Sequence, residues 1–328
     1  MSSTSKSKRW KRIVMIVLVL LLAPTITLWF LLTQPTFSQN SKSNKTVDSE
    51  KLQKHVVMLS ETFHPRNEVA IENLNKCADY IHDHFTKAGA SEVGFQEYKS
   101  GRRVYKNVTA IFGKKSNNRI VIGAHYDSCG MTPGADDNAS GVAGLIELAY
   151  LLQKYPLERT VELVGYTLEE PPNFRTKWMG SYVHAKASHD AGIKIDLMIS
   201  LEMIGYFTDE KKQSYPFPLL KLFYPNQGNF VAIVSHLADI SVTRKLKVGM
   251  NGATDMPVYS INAPAALQGI DFSDHHNYWK FNTPALMVTD TAFMRNFEYH
   301  KPGDTADRLN YDKMGQVVIA VYEAIAKW

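Results

Sequence analysis

The chain has 328 residues, of which 45% are hydrophobic and 21% charged, a composition that is typical of globular proteins and excludes large-scale disorder. Its net charge is +5, but seven of the 37 basic residues and none of the 32 acidic residues lie within residues 1–47. The remaining 281 residues therefore hold 30 basic against 32 acidic side chains, which argues against nucleic acid as a partner.

The first predicted element is a membrane-spanning helix. Five basic residues within residues 6–12 precede 20 uncharged residues from Ile13 to Leu32, which reach about 30 Å as a helix. We interpret residues 1–12 as a cytoplasmic basic tail and 13–32 as an uncleaved signal anchor, with the rest on the periplasmic or extracellular side. A cleaved signal peptide is the alternative, but the stretch is long for one and no clear A-x-A site follows. A buried core helix fits poorly beside so dense a basic cluster.

The elements of a folded domain follow a polar segment. Residues 33–47 are rich in Ser, Thr and Asn and are predicted to form a flexible tether, so the domain is predicted to span residues 48–328. Apolar spacing predicts helices at 71–87, 141–155, 179–191 and 312–327. Apolar and β-branched runs predict strands at 107–113, 119–125, 160–168, 195–203 and 284–290.

This alternation of strands and helices predicts the fold class. It indicates a single α/β domain, a three-layer sandwich whose mostly parallel central sheet is flanked by helices, after one N-terminal transmembrane helix. Residues 206–270 are less periodic and rich in Pro, Tyr, Asn and Gly. We interpret them as an insertion that folds over one edge of the sheet and shapes a pocket.

Ionisable side chains follow three of the predicted strands. The strand predicted at 119–125 ends at His125 and is followed by Asp127. The strand at 160–168 is followed by Glu169 and Glu170, and the strand at 195–203 has Glu202 near its end. The carboxyl ends of parallel strands meet at one edge of a sheet. No Lys or Arg lies between positions 125 and 154 to offset the carboxylates, so a bound divalent cation is the simplest source of positive charge.

Imidazole and carboxylate ligands suit Zn²⁺, and Mn²⁺ or Co²⁺ can occupy the same ligands. A ligand set without cysteine favours a catalytic site over a structural one. Cys77 and Cys129 could form one disulfide in an extracytoplasmic domain, but we interpret them as unpaired small hydrophobic residues. His275 and His276, in the run SDHHNYW, compete with His300 as histidine ligands.

Five ordered motifs connect these residues to a known family: GAHYDS, GADDNASG, LEEPPNFRTKWMGS, ISLEMIG and YHKPGDT. In this order they resemble the zinc aminopeptidases of the M28 type, over roughly residues 50–328. The resemblance implies a phosphorylase/hydrolase-like α/β fold and two zinc ions. The implied ligands are His125, Asp137, Glu170, Glu202 and His300.

The resemblance also implies individual roles. Asp127 would support His125 from behind, and Asp137 would bridge both ions, preceding a cis peptide bond to Asn138. Asp136 would be a neighbour of the site and not a ligand. Glu169 would act as the general base toward a metal-activated water, and Tyr299 would stabilise the reaction intermediate.

The function expected from the sequence is that of a membrane-anchored, extracytoplasmic di-zinc aminopeptidase. Its substrates would be the N-termini of peptides or proteins, bound in a pocket that residues 206–270 shape. A glutaminyl cyclase with one zinc ion is an alternative, which the complete DDNASG segment disfavours. A non-catalytic receptor-like ectodomain is a second alternative, which the complete ligand set disfavours.

Overall fold

The computed structural model describes residues 3–36, 40–116 and 118–328, so small parts of the predicted basic tail and tether lie outside the described residues. The helices are α1 Ser3–Thr33, α2 Ser49–Val57, α3 Ile71–Lys87, α4 Gly141–Lys154, α5 Gly180–Asp190, α6 Ile240–Met250, α7 His275–Trp279 and α8 Tyr311–Ala326. The strands are β1 Glu92–Ser100, β2 Arg103–Phe112, β3 Asn118–His125, β4 Thr160–Tyr166, β5 Lys194–Glu202, β6 Val231–His236, β7 Val258–Ala263 and β8 Ala285–Thr289.

One eight-stranded sheet forms the centre of the domain, in the order β1-β2-β4-β3-β5-β8-β6-β7. Strands β4, β3, β5 and β8 are parallel to one another. Antiparallel pairs join β1 to β2, β2 to β4 and β6 to β8, while β7 runs parallel to β6. The predicted α/β fold is confirmed, and the four central strands end at the same edge of the sheet.

Helices cover both faces of the sheet and complete three layers. The larger apolar core joins one face to α2, α3, α4, α6 and α8, through side chains such as Leu52, Ile81, Leu145, Leu246 and Val317. A smaller cluster packs α5 and α7 on the opposite face through Ala185 and Tyr278. The central strands are therefore buried on both sides, which explains why their sequences are continuously apolar.

Residues 206–270 differ from the predicted insertion. They contribute β6, α6 and β7, so two strands of the central sheet come from this segment. Both strands are short, six residues each, and lie among loops rich in Tyr, Pro and Asn, which hide their pattern in the sequence. The segment extends one side of the sheet and is part of the same domain.

Helix α1 is attached to this extended side. Its segment Ser7–Thr33 is long and apolar enough to cross a membrane, alone among the described helices, and an 18-residue apolar window within it has no buried residue. Its end is buried, because the backbone O of Thr33 accepts hydrogen bonds from Nζ of Lys247 (2.8 Å) and Oγ of Ser260 (2.8 Å). These donors satisfy a carbonyl that a helix end otherwise leaves unpaired.

The described part of the predicted tether is packed on the domain from Asn40 onward. The backbone N–H of Asn40 donates to the backbone O of Asn251 at 2.9 Å. Further along, Oγ of Ser43 and Nζ of Lys45 donate to Oε1 of Glu323 at 2.6 and 2.7 Å. Packing on the domain therefore includes residues before the predicted boundary at residue 48, both at Thr33 and from Asn40 onward.

This packing predicts a measurable contribution of Asn40 to stability. Its Nδ2 donates to the backbone O atoms of Val248 and Gly249, in the last turn of α6. We expect Asn40→Ala to lower the free energy of unfolding by about 1–2 kcal/mol, because two carbonyls lose their partner. Urea denaturation of the detergent-solubilised chain measures the change.

The matched control is Lys42→Ala, two residues away. Lys42 pairs with Asp255 at 2.6 Å, but 68% and 75% of the two side chains are exposed. Exposed ion pairs contribute little, so this variant is expected to change the free energy of unfolding by less than about 0.5 kcal/mol. Equal effects of the two variants would contradict the packing of the segment.

Candidate metal centre

The residues predicted as metal ligands meet at the edge of the sheet where the four parallel strands end. His125 is the last residue of β3 and Glu202 the last of β5. Asp137 lies between β3 and α4, Glu170 follows β4, and His300 follows β8. Four of the five are buried, and 27% of the His300 side chain is exposed.

Their ligand atoms form two adjoining groups. Nε2 of His125 lies 3.4 Å from Oδ1 of Asp137 and 3.4 Å from Oε2 of Glu202. Nε2 of His300 lies 3.1 Å from Oδ2 of Asp137 and 3.1 Å from Oε2 of Glu170. Asp137 thus offers one carboxylate oxygen to each group.

Several of these atoms make no hydrogen bond to any described residue, although they are buried. They are Nε2 of His125, Oδ2 of Asp137, Oε1 of Glu170 and Nε2 of His300. An unpaired buried polar atom costs free energy, and here the unpaired atoms lie beside one another. Imidazole nitrogen and carboxylate oxygen are ligands that zinc takes in proteins. The residues therefore fit a zinc centre.

Burial and mutual charge shift the proton affinities of the cluster. Burial lowers the pKa of His125, but the carboxylates of Glu202 and Glu169 outweigh it and raise this pKa well above its usual value. Burial, followed by the charge of Asp137, raises the pKa of Glu170 to about 8. Both shifts indicate excess negative charge, which a bound cation would offset.

Glu169 differs from the ligand carboxylates. Its Oε2 lies 3.9 Å from Nε2 of His125, farther than the oxygens of the two ligand groups. Burial, and after it the charges of Glu202 and Glu170, raise the pKa of Glu169 well above its usual value. A carboxylate with high proton affinity beside a metal site is suited to accept a proton from a reactant.

Asp127 lies behind the first histidine and beneath the two glutamates. Nδ1 of His125 lies 3.2 Å from the backbone O of Asp127 and 3.5 Å from its Oδ1. The two carboxylate oxygens accept hydrogen bonds from the backbone N–H groups of Glu169 (3.2 Å) and Glu170 (3.1 Å). One side chain thus orients the ends of β3 and β4 relative to each other.

Asp304 holds the loop before α4 in a similar way. Its oxygens accept from the backbone N–H groups of Asp136 and Asp137, both at 3.1 Å. The carboxylate of Asp136 is directed elsewhere, because it accepts from the N–H of Gly205 and from Nδ2 of Asn296, both at 3.0 Å. Asp136 is accordingly absent from both ligand groups.

The bridging segment is also tied to β5. The peptide bond between Asp137 and Asn138 is cis, as the family resemblance implies. Nδ2 of Asn138 donates to the backbone O of Leu201 at 2.8 Å, and its Oδ1 accepts from the N–H of Met203 at 3.0 Å. These bonds flank Glu202 on both sides.

The buried guanidinium of Arg66 supports the loop after β3 from inside. Its nitrogens donate to four backbone carbonyls at 2.6 to 3.0 Å, those of Leu59, Tyr126, Pro133 and Gly134. Gly134 has φ +60°, and a Cβ there would lie 2.3 Å from the backbone O of Asp137. Only glycine fits this close approach.

Two residues near the ligands were not identified as site residues from the sequence. Oγ of Ser273 donates to Oε2 of Glu202 at 2.6 Å. Sγ of Cys129 lies within 4.8 Å of ligand atoms of both Glu170 and His300. The position of Cys129 beside these two residues was not anticipated from the sequence. Cys77 is buried in the core, and both cysteines are free thiols.

The alternative histidine ligands lie outside both groups. Nε2 of His275 lies 2.8 Å from the backbone O of Ile270, and Nδ1 of His276 lies 2.8 Å from the backbone O of Ser273. Both rings are buried in the smaller layer of the domain and belong to α7. Their backbone contacts hold the turn that carries Ser273.

An apolar pocket opens beside the predicted ligand residues. Glu202 and Tyr299 line its inner end, and the ring of Tyr299 stacks on that of His300 with 3.8 Å between centroids. Its walls are mostly aromatic and aliphatic, and include Tyr215, Leu220, Tyr224, Ile270, Phe293 and Met294. Four of these residues come from the segment 206–270, which therefore forms one wall of the pocket.

The sequence is similar to a known protein family and to individual proteins. The model of peptidase family M28 matches residues 107–325, more than half of the chain, including all five ligand positions. The uncharacterized protein YfbL of Escherichia coli K12 is 46% identical over 315 residues, which cover 93% of this chain and 95% of YfbL.

More distant similarities agree with this match. Leucine aminopeptidase 1 of Coccidioides posadasii is 24% identical over 274 residues, which cover 78% of this chain and 65% of that protein. A structure described as a Zn-dependent exopeptidase from Parabacteroides distasonis shares the fold, with a TM-score of 0.63 and 18% identity. That alignment covers 87% of this chain and 100% of the other.

The buried bonds of Arg66 predict a large effect on stability. We expect Arg66→Met to lower the free energy of unfolding by about 3 kcal/mol or more, because buried carbonyls lose their donors. Thermal or urea denaturation measures this change. The control is Arg102→Met in the exposed turn between β1 and β2, expected to change stability by less than about 0.5 kcal/mol. A neutral Arg66→Met variant would contradict the structural importance of these bonds.

Proposed function

The chain belongs to peptidase family M28, and on this basis we propose that it is a di-zinc aminopeptidase that hydrolyses the N-terminal peptide bonds of peptides or proteins. The observation that carries the proposal is the convergence of buried, unpaired ligand atoms at one edge of the sheet. Relatives named leucine aminopeptidase support the reaction class. The histidine and carboxylate donors support zinc.

The two groups of ligand atoms support two ions per chain. His125 and Glu202 would hold one ion, and Glu170 and His300 the other, with one oxygen of Asp137 on each. The separation of the ligand atoms into two groups that share Asp137 supports this count. Mn²⁺ or Co²⁺ can replace zinc on the same donors.

Glu169 is proposed as the general base. Bound zinc supplies Lewis-acid chemistry, polarising the peptide carbonyl and lowering the pKa of a water to about 7. Glu169 would accept a proton from the attacking water and transfer it to the leaving amine. The carboxylate of Glu169 lies beside His125, and the backbone N–H of Glu169 donates a hydrogen bond to the carboxylate of Asp127. Tyr299 stands at the same opening and is proposed to stabilise the oxygen of the tetrahedral intermediate.

The apolar pocket is proposed to receive the side chain of the N-terminal residue. Its walls offer aromatic and aliphatic surface and few polar groups, so a large apolar side chain would be bound and a carboxylate repelled. The carboxylates at its inner end would attract the free amino group of the substrate. The pocket therefore favours exopeptidase action on apolar N-termini.

Helix α1 is proposed as an uncleaved membrane anchor. Its length, its apolar and exposed middle part and the basic residues in its first turns support a single span with residues 1–12 in the cytoplasm. The catalytic domain would then lie on the periplasmic or extracellular side. No nucleic-acid partner is proposed, because the charge of the domain is close to balanced.

The function is tested with purified full-length chain in detergent. We expect two zinc ions per chain and hydrolysis of a leucine anilide faster than of an aspartate anilide, with the activity lost on chelation. Glu169→Gln is expected to lower kcat by about 10²- to 10⁴-fold, because the proton acceptor is removed. The variant should keep both zinc ions, which metal analysis measures.

Glu158→Gln, at an exposed site outside the ligand groups, is the matched control and should retain full activity. A fully active Glu169→Gln variant would overturn the mechanism. One zinc ion and a product that has lost ammonia without cleavage would favour the glutaminyl cyclase alternative. A chain without metal and without hydrolysis would favour the receptor-like alternative.

The anchor is tested separately in cells. The chain is expected to stay in the membrane fraction after alkaline carbonate extraction, with Met1 still attached. Protease added on the outer side of the membrane should remove the domain and spare residues 1–12. Recovery of a shortened chain in the soluble fraction would instead show cleavage, as for a signal peptide.

A further inference from the structure

The second group of ligand atoms contains a donor that the family resemblance does not include. Sγ of Cys129, a carboxylate oxygen of Glu170 and a ring nitrogen of His300 all lie within 4.8 Å of one another. The first group, His125, Asp137 and Glu202, contains no sulfur. The two halves of the metal centre are therefore chemically different.

The position of Cys129 is determined by a closed turn. Its backbone O accepts hydrogen bonds from the backbone N–H of Thr132 at 3.0 Å and from Oγ1 of Thr132 at 2.7 Å. On one side the N–H of Ser128 donates to the backbone O of Arg66 at 3.1 Å. On the other, Nδ2 of Asn67 donates to the backbone O of Gly130 at 2.6 Å. These contacts hold the thiol toward Glu170 and His300.

The neighbouring ligand atoms lack partners among the described residues. Oε1 of Glu170 and Nε2 of His300 are buried without a hydrogen bond, and Glu170 is only 4% exposed. Unpaired donors and acceptors on two residues, both next to a half-buried thiol, form a built site for a soft divalent cation. Zinc binds thiolate sulfur at about 2.3 Å.

We propose that Cys129 is a ligand of the ion held by Glu170 and His300, an inference that rests on the proposed di-zinc function. With one oxygen of Asp137 this ion has four protein donors, the number of a closed site. An ion on His125, Asp137 and Glu202 would have three, which would leave a position for a water or the substrate. The ion with four protein ligands would be bound more tightly, and the ion with three would be the one that contacts the reactant.

Cobalt(II) alone is the probe that tests the inference, because thiolate ligands give cobalt a charge-transfer absorption that nitrogen and oxygen ligands do not. Metal-free full-length chain is titrated with cobalt(II). We expect the thiolate band to saturate at one of two bound equivalents. Cys129→Ser should lose the band, and Cys77→Ala, in the apolar core, should keep it.

Thiol labelling of the unaltered chain gives a second readout, for which no substituted protein has to fold. Cys129 should react with a disulfide reagent in the metal-free chain and be protected when zinc is bound, whereas Cys77 is buried in both states. Labelled peptides identified by mass spectrometry distinguish the two thiols. Equal labelling of Cys129 with and without zinc would overturn the inference.

The outcomes separate this inference from the proposed function. Two bound cobalt ions, intact hydrolysis and no thiolate band would overturn the role of Cys129 and leave the aminopeptidase assignment standing. A chain that binds no ion and hydrolyses no substrate would overturn both. A thiolate band that Cys129→Ser abolishes, with one ion retained on the other ligands, supports the inference.

Discussion

The structure depends on the concentration of negative charge at one edge of the sheet. Nine carboxylates are buried there or next to it: Asp127, Asp136, Asp137, Glu169, Glu170, Glu202, Asp274, Asp290 and Asp304. Two buried guanidiniums, of Arg66 and Arg295, donate to backbone carbonyls and an amide oxygen and not to these carboxylates. These two guanidiniums therefore do not neutralise the cluster, and bound cations would offset its negative charge.

The parallel strands explain how these carboxylates come to lie close together. They bring segments that are distant in the chain to one edge, and two carboxylates then fix the backbone at that edge. Asp127 accepts two successive N–H groups after β4, and Asp304 accepts two in the loop before α4. These hydrogen bonds fix the backbone of Asp137 and Glu170 and thereby orient their side chains. Because backbone N–H groups make these bonds, the protein itself orients the predicted ligand side chains, which would limit the reorganisation that binding of an ion requires.

The sequence predicted the parts of the molecule whose pattern is local. The strands at 119–125, 160–168, 195–203 and 284–290 and the helix at 71–87 are long apolar runs or regular helical spacings, and the structure has an element at each. The ligand positions followed from charged residues at strand ends and from motif order. Strands β6 and β7 were missed, because six-residue strands among Tyr- and Pro-rich loops carry little periodic signal.

Contacts that depend on the folded loops could not be read from the sequence. Cys129 meets Glu170 and His300 only because the turn at residues 129–132 folds back on the loop after β8, some 170 residues away. Ser273 reaches Glu202 through the turn before α7. The bonds from Asn40 to the end of α6 join residues 208 and 209 positions apart in the chain. A polar residue in a Ser- and Asn-rich stretch indicates a loop, but not the surface on which that loop lies.

The bonds from Lys247 and Ser260 to the end of α1 determine how the domain stands relative to that helix. A flexible linker of 15 residues has a root-mean-square span of about 20 Å and lets its domain tumble. Here the helix end is held by the domain itself, and the chain is paired again from Asn40. For a chain inserted through α1, the active site would keep a constant height and tilt above the bilayer. Substrate choice then has a geometric component, since a peptide N-terminus must reach that height whatever its sequence.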